Sequence, residues 1–279
     1  MFRILKMAGS ITGNITNGGS GSITLDNEGN SSSNKINNTD TGLITINNKD
    51  TGVIDSAISN SSTGAIKIVN DNVLGGTITN TGDASTTAAN NIDITNNKNL
   101  TGTVINNGKG SIHVQNTKDA GSITGNINNG GSGSITLDNE GNSSSNKINN
   151  TDTGLITINN KDTGVIDSAI SNSSTGAIKI VNDNVLGGTI TNTGDASTTA
   201  ANNIDITNNK NLTGTVINNG KGSIHVQNTK DAGSITGNIN NGGSGSITLD
   251  NEGNSSSNKI NNTDTGLITI NNKDTGVIG

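Results

Sequence analysis

Apolar residues along this chain come in pairs split by one polar residue, and asparagine closes each group. One motif reads Ile-x-apolar-x-Asn. It stands as Ile23-Thr-Leu25-Asp-Asn27, Ile44-Thr-Ile46-Asn-Asn48, Ile66-Lys-Ile68-Val-Asn70, Ile92-Asp-Ile94-Thr-Asn96 and Ile112-His-Val114-Gln-Asn116. A period of two puts both apolar side chains on one face of a strand. A second motif, apolar-x-x-x-apolar-x-Asn, alternates with the first. It begins at Ile11, Ile54, Leu74 and Leu100, and in the remaining coil Ser32 takes the first slot before Ile36.

Successive first isoleucines are 21, 22, 26, 20 and 23 residues apart, which totals 112, and 112 is also a second, longer period. Residues 9–120 recur at 121–232 with one change, Thr16 against Asn128, and residues 233–279 begin a third copy. Residues 1–8 form a short non-repeat start. Met1 to Ala8 align with His113 to Ala120, which places Phe2 in the slot of Val114. The chain thus reads as beginning inside a coil, like a fragment of a larger repetitive protein.

A coil of about 22 residues cannot bury its apolar face alone, but stacked coils let each inward row meet its own copy above and below. The pattern predicts an all-β, right-handed parallel β-solenoid with five coils per 112-residue repeat. Four inward rows follow. Row one is Ile11, Ser32, Ile54, Leu74 and Leu100, and row two is Ile15, Ile36, Ile58, Ile78 and Val104. Row three is Ile23, Ile44, Ile66, Ile92 and Ile112, and row four is Leu25, Ile46, Ile68, Ile94 and Val114. Small residues between rows one and two (Gly13, Asn34, Ser56, Gly76, Gly102) predict a bend that splits the longer motif into two strands. The closing asparagines predict two inward ladders at the corners, bonding along the stack as amide ladders do.

Composition agrees with this reading. Apolar residues are 27%, Phe2 is the one aromatic residue, and the chain lacks Pro and Cys. Low apolar content suggests disorder, yet disordered chains favour Pro, Glu and Lys over the β-branched and turn-forming residues seen here. Without cysteine there is no disulfide, thiolate metal site or thiol nucleophile. Sixteen basic against 22 acidic residues, with almost no stacking rings, argue against nucleic acid. No apolar run is long enough to span a membrane as a helix.

Candidate chemistry is sparse. Lys67, Asp93 and His113 share the outward slot on successive coils, as do Lys179, Asp205 and His225. With no activated nucleophile beside them they read as a solvated charge ladder. Asp26 and Glu28 likewise read as solvated. Gly18-Gly19-Ser20-Gly21-Ser22 lacks both the regular Asp of a calcium repeat and the Gly-Lys-Ser/Thr of a phosphate loop. Asn30, Asn142 and Asn254 fit the Asn-x-Ser/Thr acceptor pattern, a weak signal in so Asn-rich a chain. The corner from Asn80 to Ile92 runs 12 residues where six suffice elsewhere, so Thr81–Ala89 is expected to protrude, as is its copy from Thr193. Catalytic, cofactor-binding and metal-ligating residues are all expected to be absent.

Gly9-Ser-Ile-Thr-Gly-Asn-Ile-Thr-Asn17, Gly76-Thr-Ile-Thr-Asn-Thr-Gly82 and Val104-Ile-Asn-Asn-Gly-Lys-Gly-Ser-Ile112 resemble the passenger repeats of bacterial autotransporter and filamentous-haemagglutinin-like adhesins. The resemblance covers all but residues 1–8. It implies a right-handed β-solenoid exported to the cell surface. The family usually adds a signal peptide and an outer-membrane barrel, and neither is seen here. The expected function is a structural stalk or spacer without catalysis. The alternative is a glycan- or ice-binding solenoid face, and a polysaccharide lyase stands third. Expected partners are further repeats of the same protein or end-to-end copies of this chain.

Overall fold

The computed structural model describes residues 2–7 as backbone and residues 9–84, 90–118, 120–197, 202–230 and 232–279 in full. The described residues form strands and turns with no helix, in a right-handed parallel β-solenoid. Two compact units divide the chain at Leu137 and Asp138.

In the first unit one sheet stacks Phe2–Met7, Ser22–Asn27, Leu43–Asn48, Ala65–Asn70, Ile92–Asn96 and Ser111–Asn116, each parallel to the next. Residues Ile23, Ile44, Ile66, Ile92 and Ile112 fall in one register row, as the spacing requires. The second unit repeats the arrangement with Leu155–Asn160, Ala177–Asn182, Ile204–Asn208, Ser223–Asn228, Ser246–Asn251 and Leu267–Asn272. In each unit a second sheet holds the longer motif, for example Val53–Asn60 followed by Thr77–Asn80 and Thr103–Asn106.

Alternation decides burial. Ile44, Ile46, Ile66, Ile68, Ile92 and Ile94 are fully buried, while Thr45, Lys67 and Asp93 between them face outward. Nearly every inward aliphatic residue meets a like residue one coil away, so a core without rings is filled largely by stacking. Burying one such side chain contributes about 1.5–3 kcal/mol.

The bend between rows one and two appears in some coils only. Val73–Leu74 and Thr77–Asn80 are separate strands. Gly76 between them has φ +74° and lies so close to the Ser56 carbonyl that any side chain would collide. Val53–Asn60 runs through the same place unbroken, with the small buried Ser56 at its centre.

Two register expectations need correction. The polar slot of row one belongs to Ser31, which pairs with Ile11 and Ile54, whereas Ser32 pairs with Asp55. This coil carries one extra residue between rows one and two. Ser33, at φ 60°, takes up the excess, and the register shifts between Ser32 and Lys35. Ser31 survives burial because its hydroxyl lies 3.2 Å from the Ser56 hydroxyl, which in turn donates to the Ser31 carbonyl at 3.0 Å. Secondly, Phe2 pairs with Ile23 and Arg3 with Thr24, two residues away from the alignment with Val114. A two-residue slip preserves strand parity, and one extra residue between Ile4 and Met7 then brings Met7 opposite Asn27.

Candidate functional site

The inward corners carry the most regular polar feature. In the first unit the Asn27 amide donates to Asn48, Asn48 to Asn70, Asn70 to Asn96 and Asn96 to Asn116, each at 2.8 Å. The other ladder runs Asn17, Asn38, Asn60, Asn80, Asn106, Asn129 at 2.8–3.1 Å. The second unit has the same pair, from Asn139 to Asn272 and from Asn150 to Asn262. The spare N–H goes to a corner carbonyl, as Asn38 to Gly42 and Asn48 to Val73, both at 3.0 Å. Among the described residues the ladder amides thus spend their N–H groups on one another and on the corners. Asn27 Oδ1 receives none of them, because Met7 stands opposite Asn27 where other coils have asparagine.

A buried asparagine outside the two motifs was not foreseen. Asn91 is fully buried at the end of the long corner. Its amide reaches the Ser62 and Gly64 carbonyls at 3.3 Å, and its Oδ1 accepts from the Ser111 backbone at 3.1 Å. Asn203 repeats this role. The expected protrusion Thr81–Ala89 falls in part on residues 85–89, and its copy on residues 198–201, outside the described residues.

On the outer face the row predicted from sequence is assembled. Lys67 pairs in register with Asp93, and Asp93 with His113. His113 Nδ1 lies 2.7 Å from Asp93 Oδ1. That hydrogen bond, helped by the charges of His113 and Lys67, holds the Asp93 carboxyl below the usual carboxylate range against the opposing effect of burial. In the second unit His225 Nδ1 lies 2.7 Å from Asp205 Oδ1, and His225 Nε2 lies 3.0 Å from Asp250 Oδ2. Both carboxylates favour the imidazolium, Asp205 more strongly, so His225 is raised above its ordinary value despite partial burial. Asp250 is lowered, first by the Asn271 amide at 2.7 Å, then by His225 and Lys273.

The ladder is thus more ordered than a solvated row. The sequence reading missed Asp250, because stacking by slot puts Thr248, not Asp250, beside His225. The imidazole reaches diagonally to the next coil, two residues further along the strand. Asp26 occupies the equivalent slot in the first unit. It is largely buried, accepts from Asn47 at 2.7 Å and has Lys49 at 3.9 Å, so its reading as a solvated loop residue is corrected. Asn30, Asn142 and Asn254 are exposed.

An open groove along one corner of the second unit is lined by Ser197, Lys221, Ser223, Ser246 and Leu267, among others. Lys221 is the one ionisable side chain in that lining, and it faces Asp195 at 4.0 Å. Among the described residues no three His, Asp or Glu side chains converge as metal ligands, and no helix is long and apolar enough to cross a membrane. Comparison with protein-family models, curated proteins and solved structures gave no match.

Proposed function

We propose that this chain is a structural repeat segment, a stalk or spacer, of a bacterial surface adhesin or fibre, and that it performs no catalysis. The asparagine ladder carries the reading. Each coil commits its inward aliphatic groups and its corner amides to the same positions of its neighbours. What a coil chiefly recognises is another coil, which is what an extendable support requires. The near-identity of the 112-residue copies adds to this, since every copy offers the same surface. Export to the cell surface rests on the resemblance of the repeats to adhesin passengers. Association along the stacking axis with further copies is the expected partnership.

A glycan- or ice-binding face is the weaker reading. A flat binding array wants one repeated outward residue, and this face mixes Thr24, Thr45, Lys67, Asp93 and His113. The test displays one, two or three 112-residue copies beneath a terminal epitope. Each copy adds five coils, about 24 Å at roughly 4.8 Å per strand spacing. Epitope height rising with copy number supports the spacer. Height independent of copy number, or lyase or hydrolase activity on a polysaccharide, overturns it.

A further inference from the structure

We infer that Asp205, His225 and Asp250 form a proton-operated clamp on the second unit. The imidazolium ties three successive coils together, and loss of its proton releases Asp250 while Asp205 stays bound.

The geometry is specific. Asp205 lies in the strand Ile204–Asn208, His225 in Ser223–Asn228 and Asp250 in Ser246–Asn251, three neighbours in one sheet. The two ring nitrogens face opposite carboxylates across the two coil interfaces, at 2.7 and 3.0 Å. All three side chains are a quarter to two-fifths exposed, so protons exchange freely while water screens the pairs incompletely. The charged groups around the ring are few. Asp205 faces it from one neighbouring strand and Asp250 from the other. Lys179 stands beside Asp205 one coil further out, and Lys273 lies 3.7 Å from Asp250.

An imidazolium has two N–H donors and satisfies both carboxylates. A neutral ring has one N–H and one lone pair, so one carboxylate must then face a lone pair. Which one lets go follows from the surroundings. Asp250 has other donors, the Asn271 amide at 2.7 Å and the Lys273 ammonium. Asp205 has the shorter bond to the ring, and Lys179 pairs with it only in register. The neutral ring therefore keeps its proton on Nδ1, toward Asp205. In free imidazole side chains the Nε2–H tautomer is the commoner form, so this outcome is distinctive.

Folding raises the affinity of His225 for its proton. The clamp's contribution to stability is complete below the unfolded value near 6.5 and is lost as the pH climbs through the higher folded value. The experiment is a nitrogen-15 NMR titration of the full chain, which has two histidines, with His113→Gln assigning the signals. Should that variant fail to fold, sequential backbone connectivity makes the assignment. His225 is expected to titrate above 6.5 and to be the Nδ1–H tautomer when neutral. In parallel, the melting temperature of the His113→Gln protein should fall as the pH rises above about 6.5. The decline should be absent in His113→Gln/His225→Gln, which keeps any contribution from the terminal amine. Titration at or below 6.5, an Nε2–H neutral tautomer, or the same decline in both variants overturns the inference.

Discussion

An inward asparagine is cheapest where every hydrogen-bonding group of its amide is met, because an unsatisfied buried polar group costs about 1–3 kcal/mol. Asn70 meets the condition. It accepts from Asn48, donates to Asn96 at 2.8 Å and reaches the Asn99 carbonyl at 3.1 Å. Asn70→Ala should therefore cost roughly 2–3 kcal/mol in urea unfolding, since Asn48 loses its acceptor and Asn96 its donor together. Asn70→Asp should cost at least as much, because a carboxylate cannot donate onward. Among aliphatic residues, Ile68→Asp buries a charge between Ile46 and Ile94 and should lose about 3 kcal/mol or more. Thr45→Asp on the outer face should lose under about 1 kcal/mol. Equal unfolding midpoints for these two would contradict the assignment of faces. Period two made both asparagine ladders and row three legible in the sequence, because each depends only on which way a side chain points. Asp250 was illegible for the complementary reason. Its contact with His225 is diagonal and depends on side-chain reach, which spacing does not encode.

Coils differ in how they absorb irregular length. Where one residue is in excess, Ser33 adopts φ 60° and Asn34 turns inward, its amide donating to the Gly13 carbonyl at 3.1 Å. Left-handed geometry costs a residue with a side chain roughly 1–2 kcal/mol, least for small polar types. Ser33→Gly should thus raise stability by up to about 1 kcal/mol, and Ser33→Val should lower it by about 1–2 kcal/mol, read as shifts of the urea midpoint at constant slope. The sequence showed that this coil was weak in its first slot but set the serine one place too far along. A pattern of near-identical residues, Ser31-Ser32-Ser33, contains no contrast from which to place a bulge. The corner glycines have a plainer cause. A side chain at Gly42 would run into the Asn17 amide and the Gly21 carbonyl, so the ladder itself demands a glycine beneath it.

At the scale of the molecule, periodicity is the constraint that matters most. Deleting residues 93–204 removes 112 residues and joins Ile92 to Asp205, restoring Ile-Asp-Ile-Thr-Asn within one strand. That protein should fold cooperatively with a far-ultraviolet spectrum of the parent type. Deleting residues 93–205 instead joins Ile92 to Ile206. The one-residue difference puts these isoleucines on opposite faces of the strand. The second deletion should melt at a lower temperature and lose roughly 2 kcal/mol or more relative to the first. Matching melting curves would show that the rows are not what holds the coils in place. The spacing placed Asp205 and His225 in one outward row, but nothing comparable in the sequence announced Asp250 as the third member of the clamp, since it lies two residues off that row.

The asparagine ladders also have a direction. Among the described residues each rung donates toward the higher-numbered coil, so the amide dipoles in a ladder add instead of cancelling. Turning one amide over would set oxygen against oxygen on one side and nitrogen against nitrogen on the other. Turning all of them together would avoid those clashes but would aim oxygens at the corner carbonyls of Gly42 and Val73, which now receive the spare N–H groups. The corners thus fix the polarity. A ladder therefore has a donating and an accepting direction, and a further coil continues it in register only with its own amides turned the same way.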